Sequence, residues 1–351
     1  MIATNVLHAQ PRAELMTSKI LVTGASGFIG AHTIIELLNA GYEVRGTIRN
    51  LDKSASLRTI IEKHTNHSGR LELVAATLTD SSCWQGAVSD CDGIMHIASP
   101  VPIQQPKDPE DLIVPARNGV LNVLAAAKSA GIKRIVLTSS VAAVSANPEA
   151  GTIIQTAEHW SDPDHPTINA YGLSKTLAEK AAWEFVANTD IELITVNPAM
   201  VLGPTLEPDY GSSLEALVLL MRGRYPFLPK ISMGIVDVRD VAGLHRLAFE
   251  KAQPGTRLLC SNGHRTLLAI SRLLAERYPA FKQKLPKREL PSFIFRLLAG
   301  INPVIATIVP DLDKVIEYDC GPARALGWQP RSADEAIFAG AESLIQHHIV
   351  E

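Results

Sequence analysis

Cysteine, aromatic residues and an excess of positive charge are all scarce in this chain. Only 4 of its 351 residues are cysteines, and no two of them have the Cys-x-x-Cys spacing of a metal or redox motif. We therefore expect four reduced thiols, no metal site and a cytoplasmic location. Lys and Arg total 33 against 36 Asp and Glu, and aromatic residues make up 5%. This balance leaves no basic stripe or aromatic stacking platform, so nucleic acid is not an expected partner.

Long apolar runs are also missing. Residues 1–17 mix polar and apolar side chains and lack the continuous apolar core of a secretory signal, so we predict a poorly ordered extension there. The most apolar later stretch, residues 293–309, is interrupted by Arg296, Asn302 and Pro303 and is short for a membrane span. We interpret it as a buried or substrate-facing pair of helices, with peripheral membrane contact as the alternative.

What the sequence does contain is a regular alternation of short β-rich runs and helical patterns. The predicted strands cover residues 19–23, 42–49, 71–75, 93–97, 134–138 and 192–197, and the predicted helices cover 28–39, 54–62, 81–87, 111–129 and 170–188. Such alternation is typical of βαβ units with right-handed crossovers. It predicts an α/β fold with a doubly wound parallel sheet, followed by a region of short helices and prolines.

The first predicted strand runs into the sequence TGASGFIG, which places Gly24, Gly27 and Gly30 three residues apart. Glycines allow a sharp turn from strand to helix and a close backbone approach to a pyrophosphate, whose charge the helix N-terminus stabilises. Three glycines also occur in plain tight turns, but the position in the first βαβ unit is the context that nucleotide binding requires. The pattern therefore predicts a Rossmann-type dinucleotide site.

The end of the second predicted strand indicates which dinucleotide is bound. NAD-binding proteins tend to place an acidic residue there for the ribose diol. This chain instead has Arg49, with Lys53 beyond it and Arg45 before it. Surface cations are common, but a guanidinium suits a 2′-phosphate and the acid is missing. The segment therefore predicts NADP(H) as the cofactor.

Tyr171 and Lys175 are four residues apart, on one face of the fifth predicted helix. A nearby ammonium lowers the pKa of a phenol from its usual value of about 10 toward a useful range. Ser139 and Ser140 follow the preceding strand, at the sheet edge where ligands bind. Each feature alone is common, as a solvated helix pair or a turn serine. Together they predict a site that orients a carbonyl and gives it a proton.

Six motifs in sequence order resemble the extended branch of the short-chain dehydrogenase/reductase family, over nearly the whole chain from residue 18. They are TGASGFIG (23–30), HIASP (96–100), LTSS (137–140), YGLSK (171–175), NPAMVLGP (197–204) and VDVRDVA (236–242). Within that branch the chain most resembles the dihydroflavonol-reductase-like and cinnamoyl-CoA-reductase-like group, because VRGTIRNLDK (44–53) is similar to the NADPH-reading segment of that group.

The resemblance implies a role for each matching residue. Tyr171 is expected to be the acid–base, Lys175 to lower its pKa and hold the nicotinamide ribose, and Ser140 to orient the carbonyl. Asn118 is expected to steady the active-site helix and a water molecule. Besides Tyr171 and Lys175, the implied cofactor contacts are Gly24, Ser26, Gly27, Phe28, Ile29, Gly30, Arg49, Lys53, Thr77, Leu78, Ala98, Ser99, Pro198 and Met200. Thr77 stands where the family often has Asp, which weakens the expected adenine contact.

The predicted organisation is a Rossmann domain of residues 18–204, to which residues 235–262 return, and a smaller, mostly helical substrate-binding region. That second region comprises residues 205–234 and 263–351. The substrate pocket is expected to be lined by segments that carry few charges. These are residues 206–224 and 227–233, together with residues 101–105 of the first domain.

The implied activity is NADPH-dependent reduction of an aldehyde or ketone of medium size and partly apolar or aromatic character. The alternatives on the same fold are a hydroxysteroid dehydrogenase, a sugar-nucleotide epimerase and a non-catalytic protein that senses NADP(H). The expected partner is a small carbonyl compound, with no membrane span. A monomer and a homodimer both stay open.

Overall fold

A computed structural model describes residues 18–101, 106, 108–145 and 151–351, and its centre is a parallel sheet. The strands in chain order are β1 (Lys19–Val22), β2 (Glu43–Ile48), β3 (Leu71–Ala75), β4 (Gly93–His96), β5 (Arg134–Thr138), β6 (Gly151–Gln155), β7 (Glu192–Pro198), β8 (Met200–Leu202), β9 (Ser232–Asp237), β10 (Arg257–Cys260), β11 (His264–Thr266) and β12 (Lys314–Tyr318). Seven of them form the central sheet, in the order β10-β7-β5-β4-β1-β2-β3, and every neighbouring pair is parallel.

The helices cover both faces of this sheet and build most of the remaining structure. In chain order they are α1 (Phe28–Asn39), α2 (Ser54–Glu62), α3 (Trp84–Val88), α4 (Glu110–Ala130), α5 (Ala142–Ser145), α6 (Ala170–Val186), α7 (Glu215–Met221), α8 (Val238–Lys251), α9 (Leu267–Arg277), α10 (Ser292–Leu298), α11 (Pro303–Ile308), α12 (Gly321–Ala325) and α13 (Ala333–Gln346). Short 3₁₀ turns occupy Leu51–Lys53, Ser68–Arg70, Ser81–Cys83, Ser212–Leu214, Pro279–Phe281 and Val309–Asp311.

Every strand and helix predicted between residues 19 and 197 is present, with ends shifted by three residues or fewer. Local chemistry fixes several of these ends. α4 stops at Gly131, whose φ of +73° suits a glycine C-cap. α6 starts behind Asn169, whose side chain accepts a hydrogen bond of 2.8 Å from the amide of Gly172.

The order of the strands places a ligand site at one edge of the sheet. The chain moves outward from β1 to β2 and β3, then returns to the other side of β1 with β4. The connections that leave the carboxyl ends of β1 and β4 therefore run in opposite directions and leave a crevice between them. The glycine turn and the residues after β4 lie at this crevice.

Strand side chains alternate between two apolar layers. In β1, Ile20 belongs to the layer under α1 and α8, whereas Leu21 belongs to the layer under α3, α4 and α6. The same alternation places Met95 of β4 in the first layer and Ile94 in the second. A sheet buried on both faces needs apolar residues at every position, which explains the continuous apolar runs of the strands.

The second region has its own apolar cluster. Leu217, Leu220 and Met221 of α7 are 2% exposed or less and pack with residues of α9 and α13 around β8 and β9. β8, β9 and β11 form a small sheet, and β12 pairs with β6. β10, although it follows this region's first strands, lies at the edge of the central sheet beside β7.

The apolar stretch near the C-terminus forms the predicted pair of helices, α10 and α11, but the pair is not buried throughout. Phe293, Leu297 and Ile301 are 60%, 73% and 83% exposed. Across the described residues, no helix combines the length and the apolar character that a membrane crossing needs.

Candidate active site

β1 turns into α1 through the three predicted glycines. Gly24 has a φ of +70°, a left-handed conformation that favours glycine, and a Cβ on Gly30 would overlap the carbonyl oxygen of Gly24. α1 begins at Phe28, behind Gly27, which has no side chain to cap the helix. The first amide groups of α1 thus lack a side-chain acceptor, and Ser26 beside them is exposed. This cradle fits the pyrophosphate of a dinucleotide.

His96 ends β4 and is a buried, neutral hydrogen-bond donor. The hydroxyl of Thr23 accepts hydrogen bonds of 2.9 Å from the amides of Ile97 and Ala98 and lies 2.8 Å from Nδ1 of His96. With both lone pairs used, that hydroxyl donates to Nδ1, so the imidazole proton sits on Nε2. Burial lowers the pKa of His96 to about 3, and Nε2 has no partner in the described structure.

The other predicted contacts near the crevice lie in the first turn of α1, in the loop after β4 and at the junction of β7 and β8. Ile29, Ala98 and Ser99 are half-buried, and a Cβ on Gly24 would come within 3.1 Å of the Cα of Ala98. Pro198 ends β7, and its carbonyl accepts a hydrogen bond of 3.0 Å from the amide just after Ser140. Met200 begins β8 and is half-buried. The predicted cofactor residues of three strands therefore share one edge of the sheet.

The two cations predicted to read a 2′-phosphate are available at the surface. Arg49 follows β2 directly, Lys53 ends the next turn, and both are exposed. Arg45 is different, because its side chain is buried and its Nε donates to Glu72 at 2.8 Å. Arg45 thus stabilises the sheet, while the contact of Arg49 and Lys53 with a 2′-phosphate stays a prediction.

Ser140, Tyr171 and Lys175 come together at the carboxyl edge of the sheet. Ser140 follows β5 and is 7% exposed, and Tyr171 lies in the first turn of α6. Lys175 is 6% exposed, one turn further along, with its Nζ 5.9 Å from the centre of the Tyr171 ring. The Ser140 side chain lies close enough to the Tyr171 hydroxyl to lower the pKa of Tyr171. The predicted acid, its serine partner and its lysine therefore form one cluster, in which Ser140 and Lys175 are buried and Tyr171 is half-buried.

Burial and charge shape the pKa values of this cluster. Burial raises the pKa of Tyr171, while the Ser140 side chain works in the opposite direction. Burial lowers the pKa of Lys175 to about 8, and the carboxylate of Glu179 counteracts part of that decrease. A lysine that titrates near neutral pH can carry or release a proton under working conditions. The cluster is suited to acid–base chemistry.

Three further predicted site residues lie outside this cluster: Asn118 on α4, and Thr77 and Leu78 in the loop after β3. Asn118 lies on the exposed face of α4, and its role at the active-site helix stays a prediction. One turn later, Asn122 donates a hydrogen bond of 2.9 Å to the carbonyl of Leu78. Thr77 is half-buried, with its hydroxyl 3.5 Å from that of Thr79. The loop after β3 is thus tied to α4 through Asn122, which the sequence patterns did not single out.

Sequence reasoning also missed a buried carboxylate behind the cluster. Glu179 of α6 is 1% exposed and accepts hydrogen bonds from Ser139 at 2.5 Å and Asn197 at 2.8 Å. Its spacing from Lys175 equals the spacing of Lys175 from Tyr171, so the helical period could have indicated a third residue on that face. Its ion-pair partner Arg257 lies 78 residues away in β10, and no local sequence pattern predicts this pairing.

With this geometry established, the chain can be placed among known proteins. The model of the NAD dependent epimerase/dehydratase family matches residues 20–259, and the chain belongs to this family. Cinnamoyl-CoA reductase CAD2 of Medicago truncatula is 38% identical over 269 residues, which cover 75% of this chain and 82% of the relative.

Two further relatives point to the same reductase group. An anthocyanidin reductase of Vitis vinifera is 33% identical over 287 residues, covering 77% of this chain and 84% of the relative. Yeast methylglyoxal/isovaleraldehyde reductase Gre2, solved in complex with NADPH, superposes with a TM-score of 0.77 and 28% identity, covering 94% of this chain and 99% of that one. These findings confirm the resemblance, the fold class and the oxidoreductase class that the sequence predicted.

Proposed function

We propose that this protein is an NADPH-dependent reductase of aldehydes or ketones, with Tyr171 as the proton donor. The observation that carries the proposal is the cluster of Ser140, Tyr171 and Lys175 at the sheet edge where the glycine cradle also opens. NADPH, when bound, supplies the hydride. The named relatives, which are reductases, support the same reaction class.

Within the cluster each side chain has a separate task. Ser140 and Tyr171 would both donate hydrogen bonds to the carbonyl oxygen of the substrate, which becomes negatively charged during reduction. Tyr171 then gives its proton to that oxygen. Lys175 stabilises the phenolate that remains, because its ammonium is buried beside the ring. The exclusion of water by burial strengthens each of these interactions.

The same chain offers groups for both ends of the dinucleotide. Arg49 and Lys53 would hold the 2′-phosphate, and the first amides of α1 would hold the pyrophosphate. Lys175 would hold the nicotinamide ribose, and Pro198 with Met200 would line the ring. A guanidinium at Arg49 favours NADPH over NADH, because a bare ribose gives it no anion to bind.

The substrate we propose is a medium-sized carbonyl compound with apolar or aromatic character. Of the predicted pocket segments, residues 102–105 lie outside the described residues, and the side chains of α7 are packed into the second region's core. Tyr225 and Phe227 are 48% and 43% exposed and line a groove of about 600 Å³. That groove is also lined by Arg222, Lys284, Lys287 and Arg288 and by none of the active-site residues, so it does not support the substrate proposal. A monomer or homodimer in the cytoplasm stays a prediction from the sequence.

The proposal is tested by oxidation of NADPH and NADH by the purified protein, side by side, with a carbonyl panel. The panel contains simple and aromatic aldehydes, an α-dicarbonyl, a dihydroflavonol, a cinnamoyl-CoA and a steroid ketone. We expect turnover with NADPH and little with NADH. Tight NADPH binding without turnover on any member would contradict the proposal and favour an epimerase or a sensing protein.

A further inference from the structure

Glu179 is a buried charged residue to which the proposed reaction assigns no task. It lies on α6 one turn beyond Lys175 and two turns beyond Tyr171, so the three side chains share one face of the helix. Its side chain is fully shielded from solvent. A carboxylate in such a place is costly unless it is paired and hydrogen-bonded.

The carboxylate of Glu179 accepts from donors on three neighbouring elements. Oε1 lies 2.6 Å from Nε of Arg257, 3.2 Å from Nε1 of Trp183 and 3.3 Å from the hydroxyl of Thr195. Oε2 lies 2.5 Å from the hydroxyl of Ser139 and 2.8 Å from Nδ2 of Asn197. These contacts satisfy both oxygens and tie α6 to the ends of β5, β7 and β10.

Two of these contacts reach Ser140, the residue expected to orient the carbonyl. Ser139 precedes it directly and is held by its own hydroxyl. Asn197 donates from the same Nδ2 both to Glu179 and, at 3.2 Å, to the carbonyl oxygen of Ser140. The backbone on either side of the Ser140 side chain is therefore fixed against the Glu179 carboxylate. This arrangement also explains why Ser139 cannot take the place of Ser140.

Arg257 compensates the charge of Glu179 and extends the network to the segment before α6. Its Nη1 donates to the carbonyls of Ala157, at 2.5 Å, and His159, at 2.7 Å. Its guanidinium lies 3.8 Å from the centre of the Trp160 ring. The ion pair thus connects the chain that enters α6 with the chain that leaves β5.

We propose that Glu179 is a positioning residue of the active site, which holds the Ser140 turn in place and sets a negative charge one helical turn from Lys175. The inference rests on the proposed carbonyl reduction and adds a residue to it. Glu179 acts through its neighbours and not on the substrate.

The charged groups around Lys175 support the second half of this inference. Glu179 raises the pKa of Lys175 against the effect of burial, which lowers it to about 8. Tyr171 on α6 and His96 on β4 face the same ammonium. Burial raises the pKa of Tyr171 and lowers the pKa of His96 to about 3, while Arg257 on β10 is paired to Glu179. Without the carboxylate, Lys175 therefore loses its proton at a lower pH.

The test compares Glu179→Gln with Glu184→Gln, an exposed glutamate on the same helix that serves as matched control. NADPH affinity is measured from pH 6 to 10 by fluorescence, and kcat by NADPH oxidation with the best carbonyl. For Glu179→Gln we expect the alkaline midpoint of NADPH binding to fall by about one pH unit, and kcat to fall about tenfold or more. Glu184→Gln is expected to match the wild type in both.

Two further variants separate the effect of the Glu179 charge from the effect on the position of the Ser140 turn. They also keep the inference testable if Glu179→Gln does not fold. Ser139→Ala removes one hydrogen bond to the turn, so kcat should fall roughly threefold to tenfold with an unchanged pH midpoint. Glu179→Asp keeps the charge and shortens the side chain, so the midpoint should stay and kcat should fall.

Each half of the inference has a result that overturns it. An unchanged binding midpoint in folded Glu179→Gln excludes the effect on Lys175, and a wild-type kcat in Ser139→Ala excludes the fixation of the turn. If the wild type itself oxidises no NADPH with any carbonyl, the proposed function fails, whereas the binding midpoint still decides whether Glu179 acts on Lys175.

Discussion

Residues 19–197 and the second region, residues 205–234 and 263–351, differ in how much of their structure is encoded locally. In the first part, strands, helices and the glycine turn follow from periodicity and from backbone constraints such as the positive φ of Gly24. In the second part, α7, α9 and α13 are held by an apolar cluster whose members lie far apart in the chain. The first part carries the proposed chemistry, and the second packs beside it.

This contrast shows that residues of a cofactor or catalytic site are easier to identify in a sequence than residues that form a substrate-binding region. Cofactor binding needs glycines and cations at fixed places, because a pyrophosphate and a phosphate have fixed geometry. A substrate region needs only apolar volume, which many sequences supply. Substitutions in the two regions should therefore damage different properties of the protein.

The largest expected effect is on chemistry alone. Tyr171→Phe removes the proton donor and keeps the ring, so kcat should fall by about 10²–10⁴ while NADPH affinity changes little. Stopped-flow NADPH oxidation and a fluorescence titration measure the two quantities. Retained turnover would refute the assignment of Tyr171 as the acid.

Next in size is a change in the second region that should spare cofactor binding. Leu220→Ala truncates a side chain that is 2% exposed in the cluster of α7 and α13, and we expect a loss of about 2–5 kcal/mol in the free energy of unfolding. Urea unfolding measures the loss, and the NADPH affinity of the folded variant is the control. A variant as stable as the wild type would show that this cluster does not hold the region together.

A smaller effect is expected at the cofactor's 2′-phosphate. Arg49→Asp removes a charged hydrogen-bond donor and adds a repelling carboxylate, so NADPH affinity should fall roughly 10–100-fold while NADH affinity is unchanged or improved. The matched control is Arg272→Asp, an exposed arginine of α9 in the second region. An unchanged ratio of NADPH to NADH affinity would exclude Arg49 as the group that selects the cofactor.

The smallest effect concerns pH. Because the reaction needs the ammonium form of Lys175, whose pKa is lowered to about 8 by burial, kcat/KM should be level below that pH. Above it, kcat/KM should decrease by about tenfold per unit. The check is a pH profile with a stability control at each pH. A profile that stays level to pH 10 would mean that Lys175 does not titrate in the reaction.

What could be predicted from the sequence also depends on whether a feature is encoded locally. The cluster of Ser140, Tyr171 and Lys175 could be predicted because each member sits at the end of a local element. The Glu179–Arg257 pair could not, since an ion pair between α6 and β10 exists only after the sheet has formed. The sequence also does not reveal how exposed a side chain is. The apolar stretch that forms α10 was expected to be buried or to face the substrate, and Leu297 is 73% exposed.

The central claim is that hydride and proton both reach one carbonyl at this site. NADPH carrying deuterium on the transferred position of C4, incubated with the preferred carbonyl, tests it directly by mass spectrometry of the product. The account predicts one deuterium on the carbinol carbon and one NADP⁺ formed per alcohol. A product without the label, or a substrate altered while NADPH stays unconsumed, would contradict the reductase and favour an epimerase.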